Sequence, residues 1–179
     1  MKKFIRVLSM VFAGFAFTVS SFAADVTMRI SIQLPMKSHL GQNLLLFKKD
    51  VEKKSNGEIE VQIYDSAQLY KDKEVPAAVG SGSIESGVAS LTRYVGDIPA
   101  VDLFYQPFLL NSEEKVRKAV AKGSAIRGPI DKAIEGTGST VLWWQAYGSA
   151  VMLSKGGAIK NPSDMKGKKV RVFGKTLGA

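Results

Sequence analysis

Apolar and polar positions alternate with two clear periods along this chain. Val26, Met28, Ile30 and Ile32 interleave with Thr27, Arg29 and Ser31, the two-residue period of a half-buried strand, and Pro35 ends the run. Leu40, Leu44, Phe47 and Val51 then recur at three- and four-residue steps with lysines and acids between them. That spacing predicts an amphipathic helix, stopped by Asn56-Gly57. Ile59, Val61 and Ile63 alternate with Glu58, Glu60 and Gln62 in a second strand. Strand, helix, strand in this order is a βαβ unit, which makes the two strands parallel.

The alternation continues downstream. Residues 72–80 read as a short helix capped by Asp72, and residues 84–91 as a buried strand. Ser112 is placed to cap a helix carrying Val116, Ala119 and Val120, and Ile126, Ile130, Ala133 and Ile134 mark another. Residues 140–145 are rich in β-formers and residues 161–164 form a turn. In residues 169–173 Val170 and Val172 share one face of a predicted strand and Arg171 the other. No internal repeat and no low-complexity linker interrupts the series. The predicted class is α/β with a mostly parallel sheet.

The first residues change the picture of location. Lys2, Lys3 and Arg6 precede an apolar stretch over residues 7–17, and Ser21 and Ala23 supply small residues ahead of a cleavage point. This is the pattern of a secretory signal peptide covering residues 1–23. The apolar stretch is shorter than the roughly 20 residues a spanning helix needs. The chain has no cysteine, which removes disulfides, lipid attachment and thiolate ligands from consideration. Cleavage would lower the formal charge of +9 by three, to +6. The remaining basic residues are scattered, without the clustered stripe of a nucleic-acid binder.

Parallel sheets of this kind bind ligands outside the carboxyl ends of their strands. That rule points to residues 33–39, 66–72, 92–97 and 145–150. Catalysis is poorly served there: His39 is the single histidine, and no Gly-rich phosphate loop or cofactor fingerprint appears, since Gly80-Ser-Gly-Ser lacks the residues that complete one. Binding is better supplied. Gln33, Lys37 and His39 follow the first strand, Gln68 and Tyr70 the second, and Arg93 and Tyr94 the third, while Trp143, Trp144 and Tyr147 lie on or beyond the next. A few cations among aromatics and amides suit a small acid, the cation pairing its carboxylate and the rings covering its apolar part. Trp143 and Trp144 must face opposite sides, so one of them belongs to the core.

Several stretches resemble the TRAP-type solute receptors of the DctP family. Asn56-Gly57-Glu58-Ile59-Glu60-Val61 with Gln68-Leu69-Tyr70-Lys71-Asp72 is similar to their opening segment, and Ala77-Ala78-Val79-Gly80-Ser81-Gly82 with Ile84-Glu85 to the next. Gln106-Pro107-Phe108-Leu109 resembles a further segment. Most specific is the run Asn161-Pro162-Ser163-Asp164-Met165-Lys166-Gly167-Lys168-Lys169-Val170-Arg171-Val172. The resemblance implies a periplasmic binding protein-like fold of the two-lobed, type II (Venus-flytrap) kind, with residues 24–122 as the first lobe and residues 123–179 as the start of a truncated second. It implies an organic-acid ligand and membrane permease subunits as partners, with no nucleic acid and no enzymatic activity; the alternatives are a truncated, inactive fragment of such a receptor and, behind it, a periplasmic enzyme.

It also implies roles for individual residues. Arg171 would form the two-pronged salt bridge with the ligand carboxylate, for which a planar guanidinium is suited. Arg93 falls where some members place another ligand-contacting arginine. Tyr94, Gln68, Tyr70, Trp144, Tyr147 and Gln33 would complete the substrate-binding set. Sialic-acid-type members carry an arginine where this chain has Ala150, which argues against that ligand.

Overall fold

The computed structural model describes residues 24–149 and 151–172. The signal segment, Ala150 and Phe173 therefore lie outside the described residues. Strand β1 (Val26–Ser31) is followed by helix α1 (His39–Lys54) and strand β2 (Ile59–Tyr64), the βαβ unit that the periodicity predicts. Ser38 caps α1 by accepting the Gly41 amide. After the helix, Asn56 and Gly57 take positive φ values of 51° and 85°, a left-handed turn that a side chain with a β-carbon resists.

Helix α2 (Val75–Gly80), strand β3 (Ser86–Gly87), helix α3 (Glu113–Val120) and helix α4 (Arg127–Glu135) follow. Ser112 caps α3 as expected, accepting the Lys115 amide. The sheet has the order β2-β1-β3, parallel throughout. Between β3 and α3, short 3-10 helices at Leu91–Tyr94 and Pro99–Tyr105 turn the chain. Among the described residues no helix is long and apolar enough to cross a membrane.

Among the described residues two apolar cores result. Ile30, Ile32, Leu40, Leu44 and Val61 form the first, between the sheet and α1, with Phe47, Val51 and Ile63 against them. Full burial of such side chains is worth about 1.5–3 kcal/mol each, so this unit anchors the molecule. Ile98, Val101, Ile130 and Ile134 form the second, with Tyr94, Phe104 and Trp144 packed on it.

Four readings of the sequence need correction. The strand expected over residues 84–91 pairs only at Ser86 and Gly87, and Leu91 already opens a 3-10 helix. The two-residue ladder is reinforced by Arg29 of β1, whose backbone and guanidinium donate to Glu85 at 2.9 and 2.7 Å. Residues 140–145 form no strand and have no ladder partners. The same holds for residues 169–172. Asp72 does not cap α2, whose N-cap is Glu74; its carboxylate is buried and points elsewhere.

Candidate functional site

The loops leaving the carboxyl ends of β1, β2 and β3 are laced to one another by side chains. Ser31, the last residue of β1, exchanges hydrogen bonds with Tyr70: its hydroxyl donates to the Tyr70 carbonyl and accepts the Tyr70 amide, both at 3.1 Å. Asp65, just past β2, accepts the Met36 amide at 3.0 Å and the Gln68 side-chain amide at 3.1 Å. The loop after β2 is thereby fixed against the loop after β1. Ser66 and Ala67 have positive φ values of 52° and 58°, and their amides donate back to Leu34 and Ile32.

Asp72 ties the same loop to the one after β3. It is 4% exposed and accepts the Ser90 amide at 2.8 Å and the Arg93 Nε at 2.5 Å. An ionised carboxylate at that depth needs such partners to offset its lost hydration. The Arg93 side chain itself stays 34% exposed, so the guanidinium sits at the rim. Beside it, the Thr92 amide donates to the Tyr105 hydroxyl at 3.2 Å. Burial raises the pKa of both Tyr105 and Tyr94, which keeps these phenols neutral.

The remaining expected residues divide by location. Trp144 packs on Phe104 at 5.2 Å, lies under the Arg127 guanidinium at 5.3 Å and donates its Nε1 to Asp131 at 2.7 Å. Trp143 stacks on Phe47 of α1 at 4.9 Å. The two indoles do face opposite sides, and Trp144 is the one held in the second core, together with Tyr94. Tyr147 is 54% exposed and meets His39 edge-on at 6.5 Å, while the His39 ring is 3.2 Å from the Ala146 carbonyl. Gln33 is half-buried just beyond β1. Arg171 is exposed in the irregular stretch that follows the Pro162–Met165 turn.

Gln33, Gln68, Tyr70 and Arg93 thus come from three adjoining strand ends. Tyr147 borders the start of α1, and Tyr94 and Trp144 serve the second core. Asp65 and Asp72 were missed as organisers, although an acid just past a strand in a loop of amides is a visible signal. Among the described residues no group of three or more His, Cys, Asp or Glu could hold a metal ion.

The chain matches bacterial extracellular solute-binding protein family 7 (DctP) over residues 30–178. A solute-binding protein of Verminephrobacter eiseniae is 31% identical over 155 residues, covering 84% of this chain and 44% of that protein. The C4-dicarboxylate-binding periplasmic protein DctP of Rhodobacter capsulatus is 29% identical over 161 residues, covering 88% and 46%. The chain spans about half the length of the curated relatives it matches. Among solved structures, the Bordetella pertussis extracytoplasmic solute receptor DctP6, which binds pyroglutamic acid, superposes with a TM-score of 0.59 at 25% identity, over 63% of this chain and 36% of that one. A TRAP periplasmic solute-binding protein of Sulfurospirillum deleyianum with bound succinate gives 0.58 at 23% identity, over 65% and 37%. With the parallel sheet and the family match over residues 30–178, this chain belongs to the DctP family of bacterial extracellular solute-binding proteins.

Proposed function

We propose that this chain captures a small organic acid outside the cytoplasmic membrane, as part of a TRAP-type receptor that delivers the acid to membrane permease subunits. The observation that carries this reading is Arg93, a guanidinium fixed by Asp72 at the rim of the strand ends where parallel sheets bind their ligands. Relatives are described with bound succinate, L-gulonate and L-malate. The chemistry these share is a carboxylate, which an arginine recognises with paired donors. Gln33, Gln68 and Tyr70 supply amides and a ring at the same strand ends, and Arg171 and Tyr147 join the set from the later part of the chain.

Within this reading, residues 24–122 are the first lobe, residues 123–179 open a second, and residues 1–23 are a signal peptide removed on export. The pattern of residues suits binding and supplies no nucleophile or general base of a recognised arrangement. A thermal-shift screen with succinate, L-malate, L-gulonate and pyroglutamate tests the function, because a ligand that binds only the folded state raises its melting temperature. A rise with at least one acid and none with matched neutral sugars is expected. Flat curves with all four would reject the reading.

A further inference from the structure

Arg93 reaches Asp72 through Nε, and that choice of atom has a geometric consequence. A guanidinium offers a carboxylate two paired edges, one containing Nε and one made of Nη1 and Nη2. With Nε given to Asp72, the edge made of Nη1 and Nη2 remains for a carboxylate arriving from solvent. Asp72 is deeply buried, while the Arg93 side chain keeps a third of its surface exposed, so the buried partner is the fixed one. Asp72 also accepts the Ser90 amide at 2.8 Å, which sets the start of the 3-10 helix Leu91–Tyr94 that carries Arg93. One carboxylate therefore fixes both the loop and the side chain.

We infer that Asp72 is the positioning residue of the anion site: it presents the Nη1–Nη2 edge of Arg93 to the ligand carboxylate without touching the ligand itself. This inference rests on the organic-acid reading and deepens it. The neutral variant Asp72→Asn keeps an acceptor for the Ser90 amide and loses the charge that orients the guanidinium. Arg93→Lys keeps a cation beside Asp72 but has no second paired edge.

Calorimetric titration of the full chain with succinate and with pyroglutamate tests the inference, alongside thermal melts of each variant. Arg93→Lys should melt close to the unaltered protein and bind about tenfold or more weakly. Asp72→Asn should lose a similar factor, and Asp72→Asn/Arg93→Gln should bind no more weakly than Arg93→Gln alone, since one residue acts through the other. Binding by Arg93→Lys within about twofold of the unaltered protein would overturn the inference, and so would losses in the double variant that multiply. If Asp72→Asn fails to fold, the Arg93→Lys result decides by itself. If the unaltered protein binds neither probe, it is the organic-acid reading that fails. The positioning role is then decided by nuclear magnetic resonance: a resolved, slowly exchanging Arg93 Hε signal supports it, and an averaged, fast-exchanging one overturns it.

Discussion

Trp144 is held on three sides, by Phe104, by the Arg127 guanidinium and by the Asp131 carboxylate that accepts its Nε1 proton. Arg127 is itself buried against Asp131 at 2.9 Å. Trp144→Phe keeps one aromatic ring but removes the Nε1 donor and part of the indole's packing, leaving one Asp131 oxygen short of a partner; the lost hydrogen bond is worth about 1–3 kcal/mol in urea unfolding, and the lost packing adds to it. At Glu85 the Arg29 hydrogen bonds lower the carboxyl pKa from 4.5 to about 2. A depressed carboxyl stabilises the fold above its unfolded value and loses that contribution as pH falls through the folded one. The advantage of the unaltered chain over Glu85→Gln should therefore be complete at pH 6 and shrink between pH 4.5 and about 2, modestly because both side chains are over a third exposed. Under the proposed function, truncating the exposed Arg171 to Ala should cost about 1.5–3 kcal/mol of acid affinity, the scale of a hydrogen bond to a charged group; calorimetry with an acid that binds would check it. Residue types were legible in the sequence, but their commitments were not. Asp72 has the position of a helix cap, and only the fold brings Ser90 and Arg93 to it.

Helices and strands with strict periods were legible because each period reports one buried face. β1, α1 and β2 follow their patterns, whereas residues 140–145 carry β-formers without becoming a strand. Trp143 and Trp144 explain the difference: they pack on opposite sides, against Phe47 and Phe104, and no described strand runs alongside to share hydrogen bonds. β-propensity marks a surface that packs well, and a ladder needs a neighbour. β2 lies at the edge of the sheet, where unpaired amides invite another chain. Two side chains of α1 cover that edge: Glu52 accepts the Val61 amide at 3.0 Å and Lys48 donates to the Val61 carbonyl. Glu52→Ala should uncover it and speed aggregation at equal concentration, measured by light scattering. The Lys48 hydrogen bond, followed by the Val61 amide, holds the Glu52 carboxyl below its usual range, so acidification should produce the same effect in the unaltered chain. Gly80, unexplained by any phosphate loop, has a packing role: an added β-carbon would sit 2.4 Å from the Thr137 carbonyl oxygen. Gly80→Ala should cost about 1–3 kcal/mol in denaturant unfolding.

At the scale of the molecule, the two cores meet along segment 141–147, which forms neither helix nor strand. Trp143 fastens it to α1, the His39 ring lies beside the Ala146 carbonyl, and Trp144 fastens its other face to α4 through Asp131. Beyond it, the character of the chain changes. Residues 151–172 include no buried position and pair with no strand, and Val151 and Leu153 are among the most exposed apolar residues. Local stability follows buried contacts and ladder hydrogen bonds, so amide exchange should rank these parts in order. Amides at the centre of β1 and in the first half of α1, around Ile30 and Leu44, should exchange slowest. Those of α4 should follow, guarded by Ile130 and Ile134. Amides in residues 151–160 and 166–172 should exchange faster than the β1 core by about a hundredfold or more, a spread available to a domain of ordinary stability. The Asn161 and Lys160 amides, both donating to Asp164 at 2.9 Å, should stand out as a slower island within that stretch. Exchange measured residue by residue on the chain checks this ranking. Uniform protection from residue 26 to residue 172 would mean that the late segment shares a core with the sheet, and the division into a tightly packed part and an open one would have to be abandoned.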